Sequence, residues 1–308
     1  MSFTLSFFKF KKSLEQEIRI FWTNQVAFRL SENTFDESLP ENLKLTKIWG
    51  VASPFSYLDI SIPELKEQLK QGKNFTMQNL IVSFTMVFEQ FLFDTLRHTI
   101  YLQPDLLKNS GMQIELSAIS TTLGEKGDLL NWIATTYADR INRKETHIEI
   151  YQRIAKLMLR DIKDVQPLLI YWHNVTLLRN AIVHNNRRVT NELSINWPDK
   201  FSNEGKSIII EENLIKVIQK SMLKIAKKID SIVQLVVVKD ADAKLLAREV
   251  FVRHGIENPN HIARIIHNNL SYKIDQISIE AALAQQRREN KLTTDIIFDS
   301  FFDSIVIE

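Results

Sequence analysis

One stretch of the chain gathers the residue types that move protons and hold phosphates. It reads Tyr171-Trp172-His173-Asn174-Val175-Thr176-Leu177-Leu178-Arg179-Asn180-Ala181-Ile182-Val183-His184-Asn185-Asn186-Arg187-Arg188. At helical periodicity Leu168, Trp172, Val175, Leu178 and Ile182 form an apolar stripe. His173, Leu177, Asn180, His184 and Arg187 follow at spacings of four, three, four and three, which places them on the other side. Arg179 lies about 100° round from Asn180, at the margin of the stripe. A guanidinium half-buried there needs an anion, and no acidic residue occurs between Asp164 and Glu192. Either a carboxylate elsewhere, such as Glu89 or Asp94, or the phosphate of a ligand meets that need.

Arginine, asparagine and histidine suffice for metal-free cleavage of RNA. Histidine titrates near neutrality, so it can take the proton of a 2′-hydroxyl or return one to a leaving 5′-oxygen. The arginine fork suits the extra charge of a pentacoordinate phosphorane. Asparagine donates a hydrogen bond without adding a repelling charge. One helix supplies one histidine at this end, and a twofold dimer that sets the helix against its copy supplies the second.

The elements that must position these residues are mainly helical. Phe75 to Leu102 carries Leu80, Phe84, Val87, Phe88, Phe91 and Leu92 at three- and four-residue spacing and stops before Pro104. Asp164 is the expected N-cap, with Pro167 in the first turn, of the helix that ends near His184. Further helices are expected over 14–30, 113–122, 128–138, 145–160 and 211–238. Gly72 and Asn74 read as punctuation before the long helix. Glu192–Trp197 and Lys206–Ile210 alternate around Asn203-Glu204-Gly205, which predicts one β-hairpin. Three short helices are expected over 241–253, 260–270 and 278–289. The expected division is a loop-rich N-terminal segment over 1–70, a helical domain over 71–238 and a small C-terminal helical domain over 239–308.

Composition narrows the field. The chain has 308 residues, 44% of them apolar and 25% charged, which is a globular composition. Only 7 glycines and 7 prolines are present, too few for turn-rich sandwiches, propellers or barrels. The count of zero cysteines excludes a disulfide scaffold, a thiolate metal site and a cysteine nucleophile. Net charge is +2, so any affinity for a polyanion must come from local patches. The longest apolar runs, near Ile81–Phe88 and Ile232–Val238, are far shorter than the ~20 residues of a membrane span, and no secretory leader is legible at the N-terminus. A soluble cytoplasmic protein is the expectation.

The pattern Arg179-Asn180-x-x-x-His184 resembles the R-x(4–6)-H motif of the HEPN superfamily, in which a polar residue often follows the arginine. Phe84-x-x-x-Phe88-Glu89-Gln90-Phe91-x-x-Asp94-x-x-Arg97 resembles the first long helix of that fold, and Asn185-Asn186-Arg187-Arg188 is similar to the tail of its prokaryotic defence and toxin members. The resemblance spans roughly residues 75–235. It implies an α-helical bundle that dimerises so that two motifs line one cleft. It also implies metal-independent endoribonuclease activity on tRNA, mRNA or rRNA, without a cofactor, in toxin–antitoxin or abortive-infection systems. Arg179, Asn180 and His184 are then the catalytic candidates, and His173, Arg187 and Arg188 accessory ones. An antitoxin or other defence-system protein becomes an expected partner.

Lys216, Lys220, Lys224 and Lys228 repeat every four residues and form a basic ridge of about 18 Å on one helix face. That is a phosphate-tracking surface or an ordinary solvated face. His254, His261 and His267 do not share one helix face, so no metal site is expected. A second reading of the whole chain is a non-catalytic helical module that dimerises within a defence complex, with Arg179 paired to a carboxylate. A third is a DNA-binding regulator using the C-terminal helices.

Overall fold

Ser61-Ile62-Pro63-Glu64 opens the longest helix with a reciprocal cap. The Ser61 N–H and hydroxyl each donate to Glu64 at 2.8 Å, and the Glu64 N–H returns a weaker bond to Ser61 Oγ at 3.5 Å. This helix runs over Ile62–Leu102, beginning thirteen residues before the expected start at Phe75. Gly72 and Asn74 do not interrupt it. A Cβ at Gly72 would meet the Phe28 ring at 3.4 Å, an ordinary van der Waals contact, so packing does not demand glycine there. The Asn74 amide donates to Ile208 O and accepts from Ile210 N–H. Asn74, which reads as punctuation in the local sequence, here serves a tertiary contact.

The computed structural model describes residues 3–34, 40, 43–49, 57–109, 126–161, 163–235, 241–289 and 306–307. Among them are eleven α-helices and no strand, a mainly-α helical architecture. They are α1 (Leu5–Thr34), α2 (Leu45–Trp49), α3 (Ile62–Leu102), α4 (Lys126–Lys144), α5 (His147–Leu157), α6 (Gln166–His184), α7 (Asn191–Asn196), α8 (Glu212–Val233), α9 (Ala241–His254), α10 (Pro259–Leu270) and α11 (Gln276–Glu289). The expected helix over 113–122, and the end of the one expected to reach residue 238, lie outside the described residues. No described helix is long and apolar enough to cross a membrane.

The expected β-hairpin does not form. Thr190 caps α7 by accepting from Leu193 N–H, and Leu193 and Trp197, one turn apart, are buried at 0% and 8% exposure. Ile195 between them is 69% exposed, so the apolar period is four and not two. The second expected strand keeps a single antiparallel bridge, Arg188 with Ser207, around a turn that holds Gly205 at φ +75°.

Two compact units emerge from non-consecutive pieces of chain: Met1–Ser13, Met86–His173 and Lys220–Glu308 form one, Leu14–Thr85 and Asn174–Gln219 the other. The expected blocks 1–70, 71–238 and 239–308 are, by contrast, consecutive. In the first unit α9, α10 and α11 bury Leu246, Val250, Ile262, Ile266, Ile279 and Leu283 together with Leu5 and Phe8 of α1. Gly255 at φ +63° follows α9, and Asn258 with Pro259 starts α10, each fitting its helix end. An aromatic cluster of Phe7, Phe10, Phe88, Phe91 and Trp172 fills another part of this unit, with Phe10–Phe91 and Phe88–Trp172 centroids 4.8 and 4.7 Å apart. The second unit buries Phe21, Phe84, Val175, Leu178, Ile208 and Ile218.

Candidate functional site

Helix α6 buries Leu169, Trp172, Val175, Leu178, Ala181 and Ile182. The stripe is wider than the sequence spacing suggests, because Leu177, expected on the polar side, is also buried. What remains polar and open is the C-terminal end. There Arg179 Nη1 donates to Asn180 Oδ1 at 3.1 Å and lies 3.5 Å from His184 Nε2. Arginine has no acceptor, so Nε2 is the accepting nitrogen of that contact. Asn180 and His184 are exposed and Arg179 is half-buried.

Among the described residues no carboxylate pairs with Arg179. The two candidates are occupied within their own unit: Asp94 accepts from Lys9 at 2.8 Å and from Gln90, and Glu89 accepts from Asn142. The guanidinium is therefore held by neutral groups. An entering phosphate offers it a charged acceptor in their place, which makes a stronger, bidentate bond.

Arg187 is not on the face of α6, because the helix ends at His184. Asn186 and Arg187 adopt left-handed φ of 50° and 60° and turn the chain back. Asn185 fastens this turn by donating from its amide to Arg188 O and accepting Arg188 N–H at its backbone oxygen. Arg187 then reaches α3, donating to Gln78 Oε1 at 2.6 Å and to Asn79 Oδ1 at 3.2 Å, with its guanidinium 3.9 Å from the Phe75 ring centroid. Burial moves this guanidinium below its ordinary pKa. Arg188 is exposed and donates to Gly205 O.

His173 is half-buried and stands three turns up α6 from His184, in the unit that does not contain Arg179. The lysines of α8 have separate surroundings. Lys216 lies over the Trp22 ring, Lys228 pairs with Asp164, and Lys220 and Lys224 are exposed. Asp164 thus serves Lys228, and a short 3₁₀ turn over Lys163–Val165 leads into α6. Among the described residues no group of three or more His, Asp or Glu side chains is placed to hold a metal ion. Of the C-terminal arginines, Arg248 donates to Gln286, Arg253 pairs with Glu249 and Arg287 with Glu257.

Phe75, Gln78 and Asn79 are the site residues that sequence spacing misses. Nothing in the sequence sets them apart, because the same helix also carries Gln68, Gln71, Asn74 and Gln90. Compared with protein-family models, curated proteins and solved structures, the chain matches none of them.

Proposed function

We propose that the chain is a metal-independent endoribonuclease of HEPN type that works as a homodimer. The observation that carries this reading is the Arg179–Asn180–His184 cluster, a guanidinium beside an exposed imidazole with only neutral partners. Arg179 binds the scissile phosphate and stabilises the charge that builds on it, and Asn180 orients Arg179 or the phosphate. His184 of one copy takes the 2′-hydroxyl proton as the 2′-oxygen attacks phosphorus. The second copy's histidine protonates the departing 5′-oxygen. The products are a 2′,3′-cyclic phosphate and a 5′-hydroxyl, with no external nucleophile and no cofactor. Lys220 and Lys224 are exposed cations of the kind that bind backbone phosphate. A cytoplasmic toxin or phage-defence effector cleaving tRNA or mRNA, restrained by an antitoxin or another defence-system partner, is the biological role we propose.

The second reading is a non-catalytic dimerisation module. Ile170 and Val183, both on α6 and both exposed, favour it, since a protein partner would cover such side chains.

The test is cleavage of total cellular RNA in EDTA by the parent protein and by His184→Ala. Cleavage by the parent alone, leaving 5′-hydroxyl ends, is the expected result. Equal cleavage by both, 3′-hydroxyl ends, or loss of activity in EDTA overturns it. Silence from both forms favours the dimerisation module.

A further inference from the structure

Phe75 is unusual in this molecule. It is 48% exposed, while every other phenylalanine among the described residues is buried or half-buried. One face of its ring carries the Arg187 guanidinium at 3.9 Å. The two are built to stay together: Phe75, Gln78 and Asn79 share one face of α3, and the two amide oxygens take the donors of the Arg187 fork. Both acceptors are neutral, so the cation is fixed in position and left uncompensated. Reaching this position requires two consecutive non-glycine residues in left-handed backbone, a conformation that costs about 1 kcal/mol or more per residue and collects at ligand clamps.

A flat aromatic ring joined to a pinned, uncompensated guanidinium is a surface for a nucleobase, which stacks on both kinds of plane. It is also close to the cleavage cluster. Arg187 follows His184 by three residues, so their Cα atoms lie within about 11 Å of each other. No acidic residue lies between Asp164 and Glu192 to repel an RNA strand. We infer that Phe75 and Arg187 form a stacking subsite for the unpaired nucleobase next to the phosphate at Arg179 and His184, which makes the substrate single-stranded RNA. This rests on the reading of that cluster as a phosphate site. A base inside a duplex has both faces covered by its neighbours and cannot occupy the platform.

The test uses the His184→Ala protein, which binds without cutting, and a fluorescein-labelled eight-nucleotide unpaired RNA followed by anisotropy. Adding Phe75→Leu keeps an apolar side chain and removes the π face. It weakens binding by about tenfold, the size of one base–aromatic stack, whereas Phe75→Trp binds at least as tightly as Phe75. The same sequence in a duplex binds more weakly and is indifferent to either change. The subsite is refuted if Phe75→Leu binds the single strand as well as its parent, if duplex and single strand bind alike, or if neither binds. Phe75→Trp decides the matter independently should Phe75→Leu fail to fold: binding lost with tryptophan refutes stacking, and binding retained or tightened supports it. Cleavage with His184 intact is scored separately. Stack-dependent binding without cleavage removes the nuclease reading and keeps the subsite. Cleavage with binding indifferent to Phe75 does the reverse.

Discussion

Two regions of the molecule place a histidine among polar partners, and they differ in access and charge compensation. In the first compact unit Ser6 Oγ lies 3.0 Å from His98 Nδ1, and His98 Nε2 lies 2.6 Å from Asp242 Oδ1. Ser–His–Asp is the residue order of a hydrolase triad, here with the ring nitrogens exchanged, the hydroxyl at Nδ1 and the carboxylate at Nε2. Yet Ser6, His98 and Asp242 are each at most 3% exposed, so no substrate reaches the hydroxyl. The other Asp242 oxygen accepts Leu5 N–H at 2.9 Å, and Asp230 Oδ1 accepts the N–H and hydroxyl of Thr4 at 3.0 and 2.7 Å. The carboxylates thus cap the first turn of α1 from distant helices. The Arg179–Asn180–His184 cluster has the opposite character: it is open to solvent, and its cation meets no acid. Connectivity alone marks neither a scaffold nor an active site. Accessibility and an uncompensated charge separate them.

This contrast is most directly broken by mutating both histidine regions and reading activity and stability together. His184→Ala and Arg179→Ala are expected to lower RNA cleavage by at least about 100-fold while the melting temperature hardly moves, as checked by cleavage assay and thermal unfolding. Asp242→Ala should do the reverse in kind. It strands the Leu5 N–H and the His98 ring in the interior and costs about 3 kcal/mol of stability in denaturant titration.

A subtler change sharpens the comparison by giving the open site the acid it lacks. Asn180→Asp should cut single-stranded RNA binding roughly tenfold through repulsion of the phosphate. Being an exposed neighbour of Arg179, it should alter stability by less than about 1 kcal/mol. The smallest effect concerns pH. Burial, aided by the nearby Asp242 charge and opposed by the Thr4 and Gln234 hydrogen bonds, pushes Asp230 up to about 7 from its ordinary 3.8. Between those values the folded chain binds more protons than the unfolded one, so stability from this group falls as pH rises and is lowest above pH 7. Asp230→Asn keeps an acceptor for Thr4 and removes the titration. It should stabilise the protein by about 1 kcal/mol at pH 8 and by little or nothing at pH 4, as measured by chemical denaturation at both values.

Local features of the fold are readable because their causes are local. The three C-terminal helices lie within two residues of where periodicity puts them, and Arg179, Asn180 and His184 meet because one helix end carries all three. The hairpin expectation fails because Leu193, Ile195 and Trp197 fit a period of two as well as a period of four. Only the burial of Leu193 and Trp197 with Ile195 exposed decides between them. Gly72 and Asn74 resemble helix stops, but each costs a helix only about 1 kcal/mol or less, and Asn74 offsets its share by bonding Ile208 and Ile210. The Arg187 turn is hidden because Asn186 and Arg187 take a backbone shape that sequence assigns first to glycine. The Asp230 and Asp242 caps are invisible for a different reason: they join residues 226 and 237 apart in the chain.

That separation has a consequence for synthesis. At about 5–20 residues per second, a ribosome that has made Leu5 takes roughly ten to fifty seconds to deliver Asp242. During that interval the first turn of α1 lacks both carboxylates, and Leu5 and Phe8 lack the α9–α11 side chains they pack against. The nascent chain therefore carries a phenylalanine-rich segment, Phe3, Phe7, Phe8 and Phe10, whose packing is incomplete until α11 has been made. Such a segment is a ready landing place for a chaperone that shields apolar chain. Its handover to the folded unit waits for the side chains of α9, α10 and α11.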